Sequence, residues 1–82
     1  MKVLVVEDDR EIVEVLTMVF GMRWPGARLV STGMGEKGVE LAESESPDVV
    51  ILDLGLPDIS GFDVLKQIRA FSSVPSLILT VR

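Results

Sequence analysis

The sequence predicts an α/β fold, an open parallel β-sheet wound by helices on both faces. Three observations predict it. Short apolar runs rich in Val, Leu and Ile alternate with longer stretches whose apolar residues recur at helical spacing. Hydrophobic residues make up 48% of the chain but aromatic residues only 5%, a composition suited to strands buried on both sides. Turn formers at Trp24-Pro25-Gly26, Pro47 and Pro75 separate the segments. With 82 residues there is room for one small domain, spanning 1–82, and no repeat or linker divides it.

Each element follows from its own residues. Lys2–Val6 is a β-rich run that stops at Glu7-Asp8-Asp9 and reads as strand 1. Arg10–Met22 carries Ile12, Val13, Leu16, Val19 and Phe20, the stripe of an amphipathic helix. Ala27–Ser31 is a weaker second strand. Glu36–Ser44 is a short second helix with Val39, Leu41 and Ala42 as its apolar residues. Val49–Leu52 is a continuous apolar run that meets Asp53. Leu54–Ser60, with Gly55, Pro57 and Asp58, is a loop. Gly61–Phe71 is a third helix with Phe62, Leu65 and Ile68 in line, and Ser76–Thr80, after Pro75, is strand 4.

The element order is therefore βαβαβαβ, which implies parallel strands joined by right-handed crossovers. If strand 3 returns to the far side of strand 1, the spatial order is 2-1-3-4. The order then reverses between strands 1 and 3, and ligands sit outside the carboxyl ends of the strands at such a switch point. Strand 1 ends at Glu7-Asp8 and strand 3 at Asp53, so this topology brings three carboxylates together.

Composition narrows the chemistry. The chain has no Cys and no His, which excludes zinc fingers, Fe–S clusters, thiol nucleophiles, disulfides and a serine–histidine triad. A metal site must use oxygen ligands, which points to Mg²⁺, Mn²⁺ or Ca²⁺. Thirteen acids against eight bases, a net charge of −5, oppose nucleic-acid binding by this chain alone. The longest apolar run is far below the roughly 18 residues of a membrane span. Acids arrive at Glu7, too early for a signal peptide, so the expectation is a cytoplasmic protein at its natural start.

Three carboxylates held together repel, by about 1 kcal/mol per pair in water at 4 Å and about 4 kcal/mol at an effective dielectric near 20. A hard divalent cation relieves that repulsion and leaves positions for a phosphate. A carboxylate beside it can attack phosphorus and hold a phosphoryl group as an acyl phosphate. Thr80, at the end of strand 4, places a hydroxyl within reach of a group on Asp53. Other acids have plainer roles: Asp9 with Glu11 suits the start of helix 1, Asp58 a turn, and Asp63 a solvated helix position.

The stretches VLVVEDD, DVVILDLGLPDISGFDVLKQIR and VPSLILT resemble the receiver domain of two-component response regulators, in register from Met1 to Arg82. The resemblance implies a flavodoxin-like, doubly wound fold. It makes Asp53 the phosphoacceptor and Glu7 and Asp8 the acidic pair, with Asp9 just outside it. Asp8, Asp53 and the Gly55 backbone carbonyl would hold Mg²⁺ (or Mn²⁺), Glu7 would act through water, and Thr80 would take a phosphoryl oxygen. The implied donor is a sensor histidine kinase, so the chain would be a phosphoacceptor and not an enzyme in its own right. The ILDLGLPD stretch is similar to receivers joined to winged-helix domains, so DNA would be reached only through an output domain absent from this chain.

The chain also departs from that family. Helix 4, strand 5 with its Lys, and helix 5 are lacking, and Lys2, Lys37 and Lys66 are not placed to replace that Lys. The expectation is a fragment of a longer response regulator, with impaired phosphorylation. Strand 4 becomes a bare edge and a lone helix covers one sheet face, so self-association is expected. An alternative is a non-phosphorylated pseudo-receiver acting as an interaction module. Two rivals rest on single motifs. Gly33-Met34-Gly35-Glu36-Lys37-Gly38 spells a dinucleotide-binding GxGxxG, but the chain is too short for two mononucleotide halves. An Asp-nucleophile phosphatase would want a second acid at position 55, which is Gly.

Overall fold

A computed structural model describes residues 1–79. Seven elements follow one another: β1 (Lys2–Val6), α1 (Arg10–Arg23), β2 (Arg28–Thr32), α2 (Gly35–Glu45), β3 (Val49–Asp53), α3 (Gly61–Arg69) and β4 (Ser76–Leu79). The strands form one parallel sheet in the order β2-β1-β3-β4, as the topological argument expects. Thr80, assigned above to strand 4 and to phosphoryl contact, lies outside the described residues.

The central strands are apolar on both faces because both faces are covered. Val3, Leu4, Val5 and Val6 are all fully buried. Leu4 and Val6 join Val50, Leu52, Ala42, Val64 and Ile68 in the core under α2 and α3. Val3, Val5 and Ile51 form the smaller core, against Val13, Leu16 and Phe20 of α1. One helix thus covers one face and two helices the other.

The covering helices differ from the sequence expectation in detail. No residue of α1 is fully buried. Its contact stripe is Val13, Leu16 and Phe20, while Val19, expected in that stripe, is 49% exposed beside Met18 and Met22. In α3 the inward residues are Gly61, Val64 and Ile68, and Phe62 is 66% exposed. The expected line of Phe62, Leu65 and Ile68 steps by three twice, and a helix of 3.6 residues per turn carries that line off the core face. The α3 helix also stops at Arg69 instead of Phe71, and β2 runs one residue later than expected.

Glycines let α2 lie close to the sheet. A Cβ on Gly38 would come within 2.8 Å of the Val6 side chain. One on Gly35 would meet Ile59 at 2.7 Å and Val64 at 2.8 Å. The Gly33–Gly38 pattern is therefore a packing device, which answers the dinucleotide rival. The only positive φ in a non-glycine described residue is at Ser46, which ends α2 in the left-handed conformation at φ 46°.

Candidate functional site

Register decides where the acids go. Val6 of β1 stands opposite Leu52 of β3, so the residues after them, Glu7 and Asp53, emerge side by side at the carboxyl edge. The backbone N–H of Glu7 donates to the Thr32 carbonyl at 2.9 Å, continuing the ladder to β2 and holding Glu7 at the sheet edge. Glu7 and Asp53 are each only 4% exposed, whereas Asp8 is exposed. Carboxylate oxygens from the three residues lie within 4.8 Å of one another.

This geometry is costly unless something positive joins it. Glu7 Oε2 accepts the Asp9 N–H at 2.9 Å. Glu7 Oε1 is buried with no hydrogen-bond partner. Burial pushes the Glu7 carboxyl above the ordinary Glu range, the Asp9 N–H pulls it back, and the negative charges of Asp53 and Asp8 push it up again. An orphaned buried oxygen beside two further carboxylates fits a hard, oxygen-preferring divalent cation. A cleft of about 370 Å³ opens beside the cluster, lined by Glu7, Asp8, Thr32 and Gly33 and, on its α1 side, by Arg10. Sequence reading gave Arg10 no role.

The other candidate residues fall where their backbones put them. Asp9 caps α1, accepting the Glu11 N–H at 2.9 Å, and is not part of the cluster. Gly55 is exposed, two residues past Asp53 in the β3–α3 loop. The base of that loop is closed by the Gly61 N–H donating to the Leu54 carbonyl at 2.9 Å. A Cβ on Gly61 would collide with the Asp53 carbonyl oxygen, which explains the glycine. Asp63 is more than a solvated position: its N–H donates to Ser60 Oγ at 3.2 Å, which caps α3, and its carboxylate accepts the Ser60 hydroxyl at 3.2 Å.

Asp58 is more than a turn residue. Its carboxylate accepts the N–H of Gly35 at 2.7 Å and of Glu36 at 2.9 Å, so it caps α2 from a different loop. These bonds hold its carboxyl below the ordinary Asp range. They also fill the helix N-terminus that a dinucleotide pyrophosphate would need. The lysines stand elsewhere: Lys2 Nζ pairs with Glu45 at 3.0 Å at the opposite end of β1, Lys37 pairs with Glu40, and Lys66 is exposed on α3. Among the described residues no lysine forms an ion pair with Glu7, Asp8 or Asp53.

Comparison with known proteins agrees with this arrangement. A family model described as the response regulator receiver domain matches residues 3–82. The transcriptional regulatory protein KdpE of Mycobacterium tuberculosis is 39% identical over 80 residues, 98% of this chain and 34% of that protein. The DNA-binding response regulator MtrA of Mycobacterium leprae is 38% identical over 81 residues, 99% of this chain and 35% of that protein. The chain thus spans about a third of the length of these relatives. Among solved structures, the receiver domain of the Pseudomonas aeruginosa sensor histidine kinase PA1611, with a magnesium ion in its active-site cleft, superposes with a TM-score of 0.87 at 28% identity. That match covers 99% of this chain and 67% of the other.

Proposed function

The chain belongs to the response regulator receiver family, and from that premise we propose that it accepts a phosphoryl group from a sensor histidine kinase on Asp53, in a Mg²⁺-dependent reaction. The observation that carries this reading is the convergence of Glu7, Asp8 and Asp53, with a buried Glu7 oxygen left without a partner. The magnesium ion in the cleft of the related PA1611 receiver supports it.

Asp53 is the nucleophile. One of its carboxylate oxygens forms a bond to phosphorus, the phosphorus–nitrogen bond of a phosphohistidine breaks, and the bonding pair leaves with the imidazole nitrogen. The product is an acyl phosphate on Asp53. The burial of Asp53 keeps bulk water from competing for that position. Asp8 and Asp53, with the Gly55 carbonyl, would hold the cation, and Glu7 would act on it through water. Bound Mg²⁺ or Mn²⁺ supplies charge neutralisation of the phosphoryl oxygens. The family resemblance would give the Thr80 hydroxyl the part of donor to a phosphoryl oxygen. The chain is a substrate of its kinase and not an independent enzyme. The names of its relatives support a part in transcription regulation, with DNA reached through an output domain outside these 82 residues. No helix among the described residues is long and apolar enough to cross a membrane.

Intact-mass spectrometry after incubation with Mg²⁺ and a small acyl-phosphate donor tests the reading. A single phosphoryl adduct is expected, absent without Mg²⁺ and absent in Asp53→Asn. Asp9→Ala should keep the adduct, because Asp9 caps α1 and lies outside the cluster. Folded protein that takes no adduct, here or from a cognate kinase, would overturn phosphoryl acceptance and leave a pseudo-receiver that serves as an interaction module.

A further inference from the structure

The loop that follows Asp53 is held at two points. Its base is closed where α3 begins, by the Gly61–Leu54 backbone bond. Its outer part is tied to a different element, because Asp58 binds the first two free N–H groups of α2, those of Gly35 and Glu36. The two anchors lie on either side of Gly55 and Leu56. The fit at the outer anchor is close: a Cβ on Gly35 would meet Ile59 at 2.7 Å and approach Asp58 Oδ1 to 3.2 Å. Leu56 and Ile59 pack against the larger core, so the loop is seated by apolar contact and oriented by the Asp58 bonds.

Helix α2 itself is seated on the strand that carries the acids. Gly38 lies against Val6, the residue before Glu7, and Gly33 lies against the backbone of Asp8. The turn entering α2 thus touches the acidic pair directly, and Asp58 binds the β3–α3 loop to that same turn. Met34, the residue at the N-cap position, makes no side-chain cap, so no local group competes with Asp58 for these N–H groups.

We propose that Asp58 is a positioning residue for the metal centre: by clamping the β3–α3 loop to the N-terminus of α2, it sets the backbone after Asp53, Gly55 included, relative to Glu7 and Asp8. This rests on the reading of the acidic cluster as a cation site. Asp58 touches neither metal nor phosphoryl group; it acts through the loop. The ends of β1 and β3 place Glu7, Asp8 and Asp53, but Gly55 comes from the loop, so its place relative to them is only as well ordered as the loop's two anchors. The coupling is reciprocal, so metal bound at the cluster strengthens the Asp58 cap.

Mn²⁺ binding to the chain, followed by electron paramagnetic resonance and competed with Mg²⁺, tests both levels. The parent chain should show one site that is lost in Asp53→Asn. Asp58→Ala should weaken that site about tenfold while the protein stays folded by circular dichroism. Asp58→Asn keeps one carbonyl oxygen for one of the two N–H groups and should fall between them. Ile68→Val, which loosens the core under α3 but leaves both loop anchors in place, should bind Mn²⁺ as the parent does. In the parent, Mg²⁺ should slow hydrogen exchange at the Gly35 and Glu36 amides, and in Asp58→Ala it should not. An Asp58→Ala chain that binds Mn²⁺ like the parent would overturn the positioning role and leave the metal site standing. A parent chain with no site sensitive to Asp53→Asn would overturn the metal reading, and the positioning role with it.

Discussion

Two acids near the centre are pulled in opposite directions. Asp58 gains two N–H donors on folding, and its carboxyl falls below the ordinary value of 3.8. Its contribution is therefore fully present above that value and is lost as pH falls through the lower folded value. The melting temperature of the parent should exceed that of Asp58→Asn by a constant margin at neutral pH, and the margin should shrink only in acid, below the ordinary Asp range. A margin that stays constant into that range would show that the charge of Asp58 does not stabilise the cap. Glu7 is the opposite case, raised by burial and by Asp53 and Asp8. Removing one charge from the cluster should relieve it. Asp53→Asn should stabilise the metal-free chain at neutral pH by about 1 kcal/mol, the lower end of the range for like charges at 4 Å. Mg²⁺ should then raise the melting temperature of the parent and not of this variant, a difference calorimetry reads directly.

Helix α2 joins a sound packing choice to a strained end. Gly38 costs helix propensity, about 1 kcal/mol against Ala. Gly38→Ala should nevertheless destabilise, because the added Cβ would stand 2.8 Å from Val6 in a fully buried layer. Ser46 is the reverse: it sits at φ 46° with no requirement visible for its side chain. A left-handed L-residue costs about 1–2 kcal/mol, so Ser46→Gly should stabilise by about 1 kcal/mol in urea denaturation. An unchanged midpoint would mean that Ser46 is not strained. The two glycine exchanges, opposite in sign within one helix, separate space from backbone conformation as the reason for a residue.

Across the molecule, the sheet is covered unevenly. Beneath α2 and α3 lies a continuous core, while α1 buries none of its residues fully and leaves Val15, Met18 and Met22 more than half exposed. Leu77 of β4 is 59% exposed and Ile78 38%, on a strand whose outer edge has no neighbour among the described strands. Exposed apolar surface next to an open edge favours association. Light scattering during size-exclusion chromatography should show mass rising with concentration, and Leu77→Lys should suppress it. A monomer at every concentration would remove this expectation.

The strands, their alternation with helices and the place of the acids could be read from the sequence, because apolar run length and helical spacing report burial directly. Glu7, Asp8 and Asp53 stood out because strands 1 and 3 end on acids, and parallel strands in the order 2-1-3-4 leave those ends together. The tertiary structure decided what depends on partners distant in sequence. Asp58 reads locally as a turn former, since its partners lie 22 and 23 residues away and give no local signal. Gly35 and Gly38 read as a phosphate-loop motif or as poor helix residues until Ile59, Val64 and Val6 are placed against them. Phe62 reads as core because it is large and apolar, yet the face of α3 that meets the sheet is the one carrying Gly61, Val64 and Ile68, and Phe62 is left in solvent. A sequence carries the period of each element; the angle and distance at which two elements meet arise only when both are present.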